Sequence, residues 1–136
     1  MAKREDFHTI TPYMCIRNSG EAIDFFKKAF GAAETSRHAD ENGVIRHAEM
    51  KIGDSYIMFH DEAPEFPEMK SIQAMGGSPV NLFLYIEEVD AFIAQAVAAG
   101  AKQIGTIENK PYGRSGGVTD PFGLTWWVTS HTVPGA

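Results

Sequence analysis

Three side chains in this 136-residue chain have the types and spacing for proton transfer or metal ligation. His47 and Glu49 stand two apart in a stretch of β character, so both leave the same face of a strand. That spacing sets an imidazole beside a carboxylate, as in a general base with its orienting partner. His60 has the same parity in the next β-like stretch. A His/Glu/His set serves acid–base chemistry or a metal ion. The competing reading is that these are paired or solvated polar residues on a strand face, and the sequence leaves both open. His8 and His38 fall at positions expected to be exposed, and Asp120 before Pro121 reads as a turn former.

Composition narrows the partners. Twelve Lys and Arg against eighteen Asp and Glu give a formal charge of −6. That argues against nucleic acid and against an anionic membrane surface. No apolar run approaches the roughly 20 residues needed to cross a bilayer. The N-terminal stretch MAKREDF has charges but no apolar segment behind it, so a signal peptide is not expected and the chain reads as cytoplasmic. Cys15 is the only cysteine, which excludes an internal disulfide and a Cys-based zinc site. It sits in an apolar strand pattern, as a buried and inert thiol would.

The elements that carry these residues come twice in the same order. Thr9–Ile16 alternates as a strand, Glu21–Phe30 has a helical stripe closed by Gly31, and Glu34–His38, Val44–Ile52 and Ser55–His60 read as strands. The second copy has a strand at Val80–Ile86, a helix at Glu88–Ala99 closed by Gly100, and strands at Lys102–Ile107, Gly116–Thr119 and Leu124–Ser130. Asn18 is placed to cap the first helix, and both glycines suit a left-handed helix end. The implied architecture is α+β: one domain over residues 1–136, with a βαβββ module at about 8–60, a joining stretch at 61–79 and a second module at about 80–131. The sheets are expected to curve around a cavity with the helices outside. The joining stretch reads as a solvated linker or as a lid whose apolar contacts are Phe66, Met69, Ile72 and Met75. Residues Arg114–Gly117 read as a flexible Gly-rich loop, with Arg114 either a surface arginine or a contact for an anionic group of a ligand.

Parity sorts the strands into two faces. Ala48, Met50, Ile57, Phe59, Leu82, Leu84, Trp126 and Val128 share the side that should meet the helices. The opposite side mixes aromatic and polar groups, which suits a wall of a small-molecule pocket. The ligand-binding candidates are Tyr13, His47, Met58, His60, Asn81, Phe83, Arg114 and Trp127. The catalytic candidates are His47, Glu49 and His60.

The duplicated βαβββ order resembles the vicinal oxygen chelate superfamily, the group of glyoxalases, extradiol dioxygenases, fosfomycin-modifying enzymes and bleomycin-resistance proteins. The resemblance runs from about Ile10 to His131. It is carried by residues 22–32 (AIDFFKKAFGA), 84–90 (LYIEEVD), 111–116 (PYGRSG) and 120–123 (DPFG), which are similar to the PhnB-like, glyoxalase-like subgroup. The resemblance implies four strand positions for metal ligands, and here they hold Thr11, Met58, Asn81 and Trp127. Those residues are not a divalent-metal set, so neither a metal nor another cofactor is expected. That departure is similar to the bleomycin-resistance proteins, which sequester a ligand without a metal. Two functions follow as expectations. One is a metal-free small-molecule-binding protein, paired as a homodimer. The other is a glyoxalase-like lyase or isomerase, acting through the pocket His and Glu residues or a displaced metal site.

Overall fold

The structure, a computed structural model, describes residues 3–132. Met1 and Ala2 of the charged N-terminal stretch, and the last four positions of the expected domain, lie outside the described residues. The elements run β1 (Tyr13–Cys15), α1 (Ser19–Phe30), β2 (Ala33–Ala39), β3 (Ile45–Ile52) and β4 (Ser55–His60). The second copy runs β5 (Leu82–Tyr85), α2 (Val89–Ala98), β6 (Lys102–Lys110), β7 (Gly113–Thr119) and β8 (Thr125–His131). Each set of four strands makes one mixed sheet, ordered β1-β4-β3-β2 and β5-β8-β7-β6. The first strand of each module runs parallel to the last, and the remaining pairs are antiparallel. The repeat read from the sequence is therefore a repeat of topology, and the fold is α+β with no closed barrel.

Several boundaries move for local reasons. β1 is shorter than Thr9–Ile16 because Pro12 has no N–H to give a ladder; its carbonyl still accepts from Met58 N–H at 2.9 Å. Asn18 does not cap α1. It takes a left-handed conformation, φ 62°, with no side-chain cap bond. The first-turn N–H of Ser19 instead donates to Asp61 Oδ1 at 2.6 Å, and Asp61 Oδ2 accepts from Ile45 N–H at 2.7 Å. One carboxylate from the end of β4 thus ties the helix start to β3. Gly31 closes α1 at φ 66°, as a C′ glycine should. The Arg114–Gly117 stretch is not a loop but the body of β7. Its glycines make room for neighbours: a Cβ on Gly116 would stand 2.6 Å from Ile93 Cδ1, and one on Gly117 2.5 Å from Trp127 Cε3.

The apolar faces of the two sheets belong to a single core built around the helices. Phe26 of α1 touches Phe59 of β4 and Trp126 of β8, each at 5.6 Å between ring centroids. Phe30 of α1 stacks on Phe92 of α2 at 5.4 Å. The helices pack on the apolar faces of the sheets and meet each other there, and that contact joins the two modules. The opposite, aromatic and polar faces remain open to solvent, with Tyr13 53% exposed, Phe83 50% and Tyr85 71%.

Asp120 does more than form a turn. Its Oδ1 accepts from the N–H groups of Phe122 and Leu124, and its Oδ2 from Trp126 Nε1, all at 2.9 Å. Burial pushes its pKa above the usual carboxylate range against the pull of those bonds. The joining stretch is pinned along its second half. Ile72 is buried and donates its N–H to the Cys15 carbonyl at 3.0 Å. The Gln73 amide accepts from Arg17 N–H at 3.0 Å and donates to the Arg17 carbonyl at 2.7 Å, as a paired strand would.

Candidate ligand site

The open face of the first sheet gathers the residues whose chemistry the sequence singled out. In register, Tyr13 of β1 lies beside Met58 of β4, Met58 beside Glu49 of β3, and Cys15 beside His60. The Tyr13 ring is 5.1 Å from His60 and 6.3 Å from His47 between centroids. His47 Nε2 lies 3.0 Å from Glu49 Oε1. An ionised carboxylate only accepts, so Nε2 carries the proton and the Nδ1 lone pair of a neutral ring is left free. His60 Nδ1 lies 2.8 Å from the Asp61 carbonyl, which fixes its proton on Nδ1 and leaves Nε2 a bare acceptor.

Two buried polar atoms on this face have no hydrogen-bond partner among the described residues: Glu49 Oε2 and His60 Nε2. Such atoms cost free energy in a folded protein unless something meets them. Glu49 is only 4% exposed. Burial pushes its pKa up, but the hydrogen bonds from Arg4 and His47 outweigh that and hold it below the ordinary value. Glu49 is therefore an ionised carboxylate in a largely dry place. A cavity of about 320 Å³ adjoins, lined by Tyr13 and His60 from the sheet and by Phe66 and Met69 from the joining stretch. Cys15 is buried, its thiol within 3.5 Å of the Met69 carbonyl, and burial raises its pKa, as an inert thiol requires.

The other predicted site residues lie elsewhere. Phe83 and Trp127 are register neighbours on the second sheet, where the Trp127 ring lies against Gly117. Asn81 is exposed just ahead of β5. Arg114 lies on the surface of the second module, paired with Asp90 of α2 through two hydrogen bonds, 2.6 and 2.9 Å, and with Asn109 at 3.0 Å. A larger cavity of about 550 Å³ opens between the β1 and β5 edges, lined by Ile10, Ile57, Leu82 and Phe83 among others. Its lining is mixed, with His8, Thr11, Asp54 and Ser55 beside the apolar residues, and it contains none of the His47, Glu49 and His60 set. Sequence reasoning missed Arg4 and Phe7. Arg4 Nη1 reaches Glu49 Oε1 at 2.5 Å, and Phe7 stacks on Tyr56 at 4.0 Å. The bare signal was a charged N-terminal stretch with one aromatic, ahead of the first strand.

The four positions that the resemblance assigns to metal ligands hold a hydroxyl, a thioether, an amide and an indole, from Thr11, Met58, Asn81 and Trp127. That donor set does not fit a divalent cation. Among the described residues no three His, Cys, Asp or Glu side chains come together elsewhere to replace it.

Comparison with known proteins is consistent with this geometry. Residues 81–129 match the model of the glyoxalase At5g48480-like C-terminal domain. The uncharacterized protein Mb0911c of Mycobacterium bovis is 35% identical over 120 residues, covering 86% of this chain and 79% of that protein. The uncharacterized Arabidopsis thaliana protein At5g48480 is 34% identical over 117 residues, covering 79% of this chain and 68% of its own length. The X-ray structure of At5g48480 superposes with a TM-score of 0.75 at 27% identity, over 91% of this chain and 99% of that one. TnmS3 of Streptomyces sp. CB03234, described as an antibiotic binding protein, superposes with a TM-score of 0.70 at 24% identity, over 97% and 99% of the two chains. The last likeness is one of fold alone.

Proposed function

Since the chain belongs to the vicinal oxygen chelate superfamily, in the glyoxalase-like group of At5g48480, we propose that it binds a small organic molecule without the superfamily's metal. The observation that carries this reading is the open face of the first sheet, where Tyr13, His47, Met58 and His60 surround a buried, ionised Glu49. An aromatic and polar wall with unmet buried acceptors suits a ligand that brings N–H or O–H donors on a flat apolar body. The donor chemistry of Thr11, Met58, Asn81 and Trp127 supports a site that works without a cation.

The same reading includes a homodimer. A single open sheet is half a cavity, and the Phe83 and Trp127 face of a second copy is its natural complement. The short edge strands β1 and β5 also gain from cover, because unpaired N–H and C=O groups otherwise template association. On the same footing we take the whole chain as one domain of the PhnB-like subgroup and place it in the cytoplasm, where a lone buried thiol stays reduced.

One observation favours a second reading. The His47–Glu49 pair, with Nδ1 of His47 free, has the form of a general base, so a metal-free glyoxalase-like lyase or isomerase would transfer its proton there.

The test is a titration of tryptophan fluorescence with an aromatic fragment library after treatment with EDTA, on wild type, Tyr13→Ala and Trp127→Phe. Binding that survives EDTA and weakens at least tenfold in Tyr13→Ala supports the reading. Loss of all binding with EDTA, restored by one divalent metal, overturns it in favour of a metal enzyme. Light scattering decides the dimer: a monomer at high micromolar concentration rejects it.

A further inference from the structure

We propose that Glu49 and the Tyr56 ring form a subsite for a cationic, planar aromatic group such as an aryl amidine, and that Arg4 and Phe7 of this chain occupy it as a displaceable stand-in. The proposal rests on the reading of the first sheet's open face as the ligand site, and it adds the charge and shape of what binds there.

The stand-in has both parts of such a ligand. Phe7 stacks on Tyr56 with centroids 4.0 Å apart and planes 14° from parallel. The Arg4 guanidinium lies 4.2 Å from the Phe7 centroid and donates to Glu49 Oε1 at 2.5 Å. So an aromatic plane and a delocalised cation already rest against this face, supplied by the chain itself. Guanidinium and amidinium groups share the planar fork that matches a carboxylate.

The attachment is of a kind that can be exchanged. Among the described residues, the main chain of Lys3–Ile10 makes one hydrogen bond, Phe7 N–H to the Arg4 carbonyl at 3.1 Å, which is internal to the segment. The segment is held to the sheet by its side chains. The two ends of the ion pair are also unequal, with the Glu49 side chain 5% exposed and that of Arg4 63%. The acceptor is buried, whereas the guanidinium donor is already largely in water; Phe7 is buried where it stacks on Tyr56.

The pairing is incomplete as well. Both Arg4 and His47 are directed at Glu49 Oε1, and Oε2 is left buried with no partner. A ligand amidinium that spans the carboxylate would meet both oxygens, which the tethered Arg4 does not. It would gain a buried charge-assisted hydrogen bond that the closed state lacks. The formal charge of −6 favours the approach of a cation.

Calorimetric titration of the full chain with benzamidine, and with the neutral benzamide as control, tests this. In wild type benzamidine competes with Arg4. In the double variant Arg4→Ala, Phe7→Ala it should bind at least tenfold more tightly, while benzamide changes by less than threefold. Glu49→Gln in that background should remove at least tenfold of the gain. Tyr56→Leu, which leaves the carboxylate in place, gives a second check and should weaken benzamidine binding. Equal affinity for the two probes, or no tightening in the double variant, overturns the proposal. The broader reading fails separately: neutral fragments that bind through Tyr13 while benzamidine shows no preference refute only the cation subsite, whereas no fragment binding on this face refutes both.

Discussion

Removing the Asp120 carboxylate should destabilise the second module's core. Asp120→Ala takes away three acceptor contacts at 2.9 Å and leaves the Phe122 and Leu124 amides and the Trp126 indole N–H without partners. Trp126 is buried against Phe26 and Phe30 of α1, so its N–H has no water to turn to. Each buried unmet donor costs about 1–3 kcal/mol, and local relaxation returns part of that, so the net loss is on the order of 3–5 kcal/mol. Asp120→Asn keeps an oxygen for the two amides but sets an NH₂ against the indole N–H. It also removes the cost of burying a charge, so its loss should be smaller, about 1–3 kcal/mol. Urea denaturation followed by circular dichroism measures both. The pH profile adds a sign. Burial raises the folded pKa of Asp120 above its ordinary 3.8, so its contribution is fully present below 3.8 and declines as the pH rises through the folded value. Asp120→Asn should abolish that decline. A loss under about 1 kcal/mol in Asp120→Ala would refute the view that this carboxylate organises the core.

Gly117→Ala places a Cβ 2.5 Å from Trp127 Cε3, so the ring must leave its seat; a red-shifted tryptophan emission is expected, with little change in helix content by circular dichroism. Glu62, held at a pKa of about 2 by hydrogen bonds from Arg17 and Ser71, stabilises the fold above its ordinary 4.5 and loses that contribution as the pH falls toward 2. Because the Arg17–Glu62 pair is well exposed, Glu62→Gln should cost under about 1 kcal/mol at pH 7, and its acid unfolding curve should be flatter than that of wild type. Gln73→Ala frees both main-chain groups of Arg17, so hydrogen exchange at the Arg17 amide should accelerate markedly without loss of the global fold.

The module repeat was legible because helix and strand periods differ and because Gly31 marks a helix end that the structure places one residue beyond α1. Strand parity was legible too: Ala48, Met50, Ile57, Phe59, Trp126 and Val128 all enter the core. What the sequence hid was long-range. The Ser19 N–H is capped by Asp61, 42 residues away, and no local pattern around Asn18 points there. Gly116 and Gly117 carried both a strand reading and a Gly-rich loop reading, and what local propensity did not show is that Ile93 and Trp127 must come close to them. The candidate site was half legible. Alternation put Tyr13, His47, Met58 and His60 on one face and set Phe83 and Trp127 in the strands of the second module, but which rings meet, such as Tyr13 and His60, depends on a strand register that alternation does not give. The Arg4–Glu49 contact spans 45 residues and depends on how the N-terminal segment folds back, which composition does not encode.

The central claim is that the open face of the first sheet holds a small organic ligand without a metal. Its most direct measurement is chemical-shift mapping of the isotope-labelled chain in EDTA, titrated with the fragment that binds most tightly. The account predicts that the largest shifts fall on Tyr13, His47, Glu49, Met58 and His60. Shifts confined to the groove of Ile10, Ile57 and Leu82, or shifts that appear only when a divalent metal is restored, would contradict it.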